Sequence, residues 1–297
     1  MMKNSFDDDY KLFWHKSDIE QRFGFRGARF TNVNPRFSFL VAFVTTSCFF
    51  TALFLLPKLP DIKFVSHAIK YVSELCTNRG FTQYPTVFFG VWTLVILGVK
   101  WLKLREQKKA LKLSVLPGIH DFIISRNTAD SVLQVIHSIA PEPHAYLLYH
   151  RMISTLSNLK NLGRISDVDD ILRSHAERDE NSLETSYTLI NGFLWAIPVF
   201  GFVGTVIGLS QAIGSFGSVL TSTSELEAIA ESLRHVTAGL MTAFDTTLLA
   251  LVVALFLYLS ATALRKNEEE FLDDCAEYCN RHIVQHLRMS LFEGEKE

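Results

Sequence analysis

Four stretches of the chain stay apolar for long enough to cross a hydrocarbon core of about 30 Å as helices. They are Phe37 to Leu56, Thr86 to Trp101, Leu189 to Ile213 and Thr237 to Ala263; no other stretch approaches that length. Elsewhere polar residues return with helical spacing. "TADSVLQVIHSI" opens with Thr128 as a capping residue, and Pro141 and Pro143 separate it from "HAYLLYHRMISTLSNL". A third polar helix is expected to start near Ser166 and run unbroken into the third apolar stretch, which would couple the two rigidly. After the fourth, Phe271, Leu272, Cys275, Cys279, Ile283 and Leu287 recur at helical spacing and form an apolar face that needs a partner. Neither a 20-to-50-residue repeat nor a low-complexity tract is present.

This pattern predicts an all-α integral membrane protein, with four transmembrane helices and long cytoplasmic helical extensions. The expected order is a cytoplasmic N-terminal segment (1–36), transmembrane helix 1 (37–57), a periplasmic loop (58–85), transmembrane helix 2 (86–102) and a cytoplasmic helical segment (103–184). Transmembrane helix 3 (185–214), a second periplasmic loop (215–236), transmembrane helix 4 (237–263) and a cytoplasmic C-terminal helix (264–297) follow.

Composition agrees, since 48% of the 297 residues are hydrophobic and 24 are Phe. The net charge of −2 hides an uneven distribution. Arg22, Arg26, Arg29 and Arg36 precede the first span, Lys103, Arg105, Lys108, Lys109 and Lys112 follow the second, and Arg265 and Lys266 follow the fourth. These flanks read as cytoplasmic, which places both termini inside. "DDDYKLFWHKSDIEQRF" precedes any apolar run, so no secretory signal is expected and the first span is expected to begin insertion. Four scattered cysteines, Cys48, Cys76, Cys275 and Cys279, give no disulfide framework.

Small residues interrupt the last two spans. Gly201, Gly204, Gly208 and Ala212 recur on one face of the third, with Thr205 beside them. In the fourth, Gly239, Ala243, Thr246, Thr247, Ala250 and Ala254 form a narrow stripe, with Leu240, Phe244, Leu248, Leu251 and Leu255 opposite. Small residues let backbones approach closely in lipid, where apolar contact alone gives no preference for protein over lipid. Ordinary helix packing explains small residues alone; the threonines and Asp245 call for more. Asp245 lies roughly 8 to 12 Å inside the bilayer at 1.5 Å per residue, and an ionisable group there marks either function or a paired structural contact. Cys275, Cys279, His282 and His286 spread over about 16 Å of helix, too far to share one ion. "RFGFRGARF" before the first span reads as a headgroup-contacting run rather than a nucleic-acid tract.

"AIPVFGFVGTVIGL", followed by a loop and "VTAGLMTAFDTTLLALVVALFLYL", resembles the MotA/TolQ/ExbB proton-channel family over Ser186 to Leu264. The first half of the chain is similar to it in layout alone. The resemblance implies a ring, a homopentamer, around a dimer of single-span partners like MotB, TolR or ExbD in the bacterial inner membrane. It implies no enzyme, no cofactor and no nucleic acid, but flow of H⁺ or Na⁺ that drives movement. Thr205 and Thr247 match the family's pore-facing threonines, and Gly201, Gly204, Gly208, Ala212, Gly239, Ala243, Ala250 and Ala254 would pack against the partner helices. Thr242 stands where TolQ and ExbB relatives carry a glutamate, and Ala250 replaces a common glycine. Thr242, Asp245 and Thr246 join Thr205 and Thr247 as the candidate ion pathway. A proton path needs a further titratable group, since threonine cannot hold a proton at neutral pH; a partner carboxylate would supply it. A non-conducting four-helix scaffold or assembly factor is the alternative.

Overall fold

The computed structural model describes residues 12–55, 81–113, 126–162, 165–221 and 226–285, and no strand occurs among them. Two single-turn helices, α1 (Trp14–Ser17) and α2 (Ile19–Arg22), precede α3 (Pro35–Leu55) and α4 (Gln83–Lys112). α5 (Arg126–Ile139), a 3₁₀ turn (Pro143–Ala145) and α6 (Leu147–Leu162) lead to α7 (Ile165–Thr221) and α8 (Leu226–Cys279), which ends in a π-turn, Asn280–Val284. Four helices are long and apolar enough to cross a membrane: Pro35–Leu55, Gln83–Lys112, Val168–Ser215 and Ile229–Val284.

The helices outrun the apolar pattern. α4 carries its helix ten residues beyond the expected boundary at 102, because "KLREQKKALK" contains strong helix formers and neither Gly nor Pro. α5 starts two residues ahead of the cap expected at Thr128. The helix that carries the third span continues past 214 to Thr221, and the next helix starts at Leu226, ahead of the span expected from 237. Gly214 and Gly217 read as a loop, but each costs a helix only about 1 kcal/mol. The Ser232 hydroxyl donates to the Ser215 carbonyl at 3.0 Å and ties the two extensions together. The connection at 58–80 and the chain beyond 285, with Cys76, His286 and Leu287, lie outside the described residues.

The chain divides into two compact units. One is drawn from Met1–Asn34, Gly98–Tyr187 and Ala263–Glu297, the other from Pro35–Leu97 and Thr188–Thr262. In the first unit the N-terminal segment turns at Gly24 (φ 77°) and Phe30 (φ 53°). Trp14 meets Tyr146 edge-on with ring centroids 5.3 Å apart, and Phe30 faces His150 at 5.8 Å. Part of "RFGFRGARF" is thus held by protein. Phe271, Leu272, Cys275, Cys279 and Ile283 are all buried, so the apolar face read after the fourth span is covered within the chain. Burial pushes both thiols up, Cys279 to about 12. In the second unit Ile197, Ala250, Ala254 and Leu257 form the core of the α7–α8 pair, with Phe89 of α4 packed against it.

Candidate functional site

The site is the seam between α7 and α8 in the second unit, and the small residues set its width. A methyl group on Gly201 would lie 2.5 Å from the Ala250 Cβ, and one on Gly208 would lie 2.7 Å from the Gly239 carbonyl oxygen and 2.9 Å from the Ala243 nitrogen. One on Gly239 would meet the Gly208 carbonyl oxygen at 2.7 Å and the Ala212 nitrogen at 3.0 Å. Backbone therefore touches backbone. The two stripes, expected to meet partner helices, fill each other within one chain. One chain thus fills both stripes, because α7 and α8 run antiparallel, Gly201 against Ala250 and Gly208 against Gly239.

The seam has two edges. At one, the Thr205 and Thr247 hydroxyls lie in short contact, and both residues are half-buried. Thr247 Oγ1 donates within reach of the Ala243 carbonyl (3.1 Å) and the Gly201 carbonyl (3.2 Å); Thr205 Oγ1 reaches the same two at 3.4 and 3.3 Å. Four oxygens thus converge with two hydroxyl protons among them. Lone pairs outnumber protons, so the cluster presents acceptors to whatever covers it.

At the other edge, Thr246 is buried and its hydroxyl donates to the Thr242 or Ala243 carbonyl, each at 3.0 Å. α4 closes this edge: a methyl on Gly204 would lie 2.6 Å from Thr246 Oγ1 and 2.7 Å from Thr82 Oγ1. Gly90 brings α4 close to α8, where an added methyl would sit 3.2 Å from Val253. Thr82, Thr86, Gly90 and Thr93 are all buried, a third small-residue stripe at intervals of four, four and three that was legible in the sequence but not singled out from it. Gln83 is 1% exposed, with neither amide atom hydrogen-bonded to a described residue.

The five candidate ion-pathway residues therefore do not share one surface. At 100° per residue, Asp245 and Thr247 project from α8 about 160° apart, and Thr242 and Thr247 about 140° apart. Thr242 donates to the Ala238 carbonyl at 3.0 Å, and Asp245 is half-buried with Oδ2 shielded from solvent. Thr205 and Thr247 form one group; Thr242, Asp245 and Thr246 lie towards the far side.

The first unit holds buried charges, Lys100, Lys103, Glu20 and Glu268 among them. Lys100 Nζ donates to both Glu268 oxygens, at 3.0 and 3.1 Å, and the Tyr187 hydroxyl donates to Glu268 Oε2 at 2.6 Å. Lys103 Nζ meets Glu20 Oε2 at 2.7 Å and the Asn32 carbonyl at 2.8 Å, while Glu20 also accepts from the Ala28 and Asn34 backbone N–H groups. Burial raises the Asp18 carboxyl in this cluster, with Lys103 opposing. Arg151 Nε donates to Asp179 Oδ2 at 2.7 Å. His144 and His150 bring their Nδ1 atoms within 3.3 Å, and the Ser154 hydroxyl contacts His175 Nε2 at 2.9 Å.

Residues 140–277 match the model of the MotA/TolQ/ExbB proton channel family. No curated protein and no solved structure gives a match.

Proposed function

We propose, from the match of residues 140–277 to the MotA/TolQ/ExbB proton channel family, that this chain is the ring-forming subunit of an ion-driven motor in a bacterial inner membrane. It surrounds a dimer of single-span partners and converts flow of H⁺ or Na⁺ into their movement. The observation that carries the reading is the Thr205–Thr247 cluster, an acceptor-rich notch at the uncovered edge of a tightly packed helix pair. A hydroxyl can orient water or coordinate an ion but cannot hold a proton at neutral pH, so the titratable step falls to a carboxylate on the partner helix seated at that edge. Thr242 and Asp245, half-buried on the far side of α8, form a separate access side, with Thr246 buried behind them. Lys103 binds Glu20, and Tyr187 and Lys100 bind Glu268. These bonds join the segment before the first span, the end of the second, the start of the third and the segment after the fourth, which supports both termini on the cytoplasmic side.

The test is ion flux into liposomes that contain the co-purified complex, with an uncoupler control. Thr205→Val and Thr247→Val keep shape and remove the hydroxyls, so assembly persists while flux falls at least tenfold. Unchanged flux in both would sink the pore assignment and favour the non-conducting scaffold.

A further inference from the structure

The basic run after the second span divides into two populations. Lys100 and Lys103 are buried and bound to Glu268 and Glu20. Arg105, Lys108 and Lys112 have no carboxylate within 4 Å among the described residues, and Lys109 is held by Glu106 at 2.7 Å. Trp101, Arg105, Lys108 and Lys112 follow at intervals of four, three and four, one stripe of α4. That stripe, with Lys109 and with Asn267 of α8, lines a cleft of about 420 Å³ in the first unit. Trp101 is 53% exposed and Arg105 stands over its ring, 5.9 Å from the centroid.

We propose that this cleft holds the headgroup of an anionic phospholipid. Three arguments converge. An exposed indole at the end of an apolar span marks the membrane boundary. At 1.5 Å per residue, Arg105 and Lys108 lie about 6 and 10 Å beyond Trp101, the depth of the phosphate layer. The Cα–Cβ bonds of a helix tilt towards its N-terminus, and α4 leaves the bilayer C-terminal end first, so its cationic side chains lean back towards the lipid. Cations in the last turn also complement the helix dipole, which accounts for Lys109 and Lys112. Arg105 and Lys108 stand too far back for that. The cleft is independent of the seam and of whether ions pass there.

Native mass spectrometry of the delipidated full chain in detergent tests this, with titrations of phosphatidylglycerol, phosphatidylcholine and glycerol 3-phosphate. Phosphatidylglycerol should bind at least tenfold more tightly than phosphatidylcholine. The Arg105→Gln, Lys108→Gln double variant should lose roughly fivefold for each cation removed, with phosphatidylcholine binding unaltered. Arg105→Lys, which keeps the charge, should bind like the unaltered chain, as should Lys266→Gln on exposed α8. Equal affinity for the two lipids, an unaffected double variant, loss in Arg105→Lys with helicity retained, or glycerol 3-phosphate binding as tightly as the lipid would each overturn the proposal.

Discussion

Among single residues, Lys100 and Glu268 show how much depends on pairing: their side chains are 1% and 2% exposed. Removing one partner strands a buried charge, which typically destabilises by about 3 to 5 kcal/mol, whereas removing both leaves none. Lys100→Met and Glu268→Gln should therefore each lower the unfolding midpoint in detergent, and the double variant should lose clearly less than the sum. Additive losses would mean the two do not interact. His150 and His175 supply a pH dependence. Burial lowers both below the ordinary 6.5; His144, His175 and Arg29 push His150 further, while Asp179 works the other way at both. A group with a depressed folded value binds fewer protons in the folded state, so its contribution is complete above 6.5 and lost as pH falls through the folded value. Thermal stability should decline below about pH 6.5, and His150→Gln should flatten that decline; an identical profile would exclude His150. Thr205 and Thr247 were legible in the sequence because hydroxyls stand out in an apolar run. Lys100 and Glu268 were not, since their burial arises from contact between residues 168 positions apart.

For the helices, clearance decides. At Gly208 an added methyl meets backbone atoms of α8, which cannot rotate away, whereas at Gly214 it meets nothing within 4 Å. Gly208→Ala should destabilise the α7–α8 pair by about 1 to 3 kcal/mol, and Gly214→Ala should be neutral or stabilise by up to about 1 kcal/mol through helix propensity. Urea unfolding in detergent distinguishes the two, and equal effects would mean that the seam is misassigned. The period of the stripes on α7 and α8 revealed that they are packing faces. Which face each one meets was illegible, because a stripe of small residues looks the same whether its partner is the next helix of the chain or another protein. The helical stretches at 215–221 and 226–236 were illegible for a different reason: Gly and Ser weaken local propensity, while the Ser232–Ser215 contact that ties them lies between separate helices.

Across the whole molecule, large apolar side chains remain uncovered on the spans. Phe202, Val206 and Ile213 of α7 are exposed, as are Phe244, Leu248, Leu251 and Leu255 of α8. These side chains suit lipid as well as protein, so the half-buried threonine edge is the surface left for a partner, the glycines being filled within the chain. Native mass measurement in mild detergent should show several copies; a stable monomer would remove the ring. Asp245→Asn separates the two sides of α8. If the far side admits ions, the variant assembles but conducts less; if Asp245 serves structure, asparagine hydrogen-bonds nearly as well and flux is retained. Four spans and their order were readable from hydropathy alone. The gathering of the polar segments into one unit was not, because it rests on a few buried ion pairs among many charged residues.

Those ion pairs also impose an order on synthesis. Lys100 emerges from the ribosome early, but Glu268, which neutralises it, follows the fourth span. Until that span has been threaded, Lys100 and Tyr187 wait without their carboxylate, and the polar unit cannot close. A chain that stalls or is cut before Glu268 would be left with a stranded ammonium beside the membrane, a local defect for proteases to recognise. Completion of the last span is thus the step at which Lys100 gains its carboxylate.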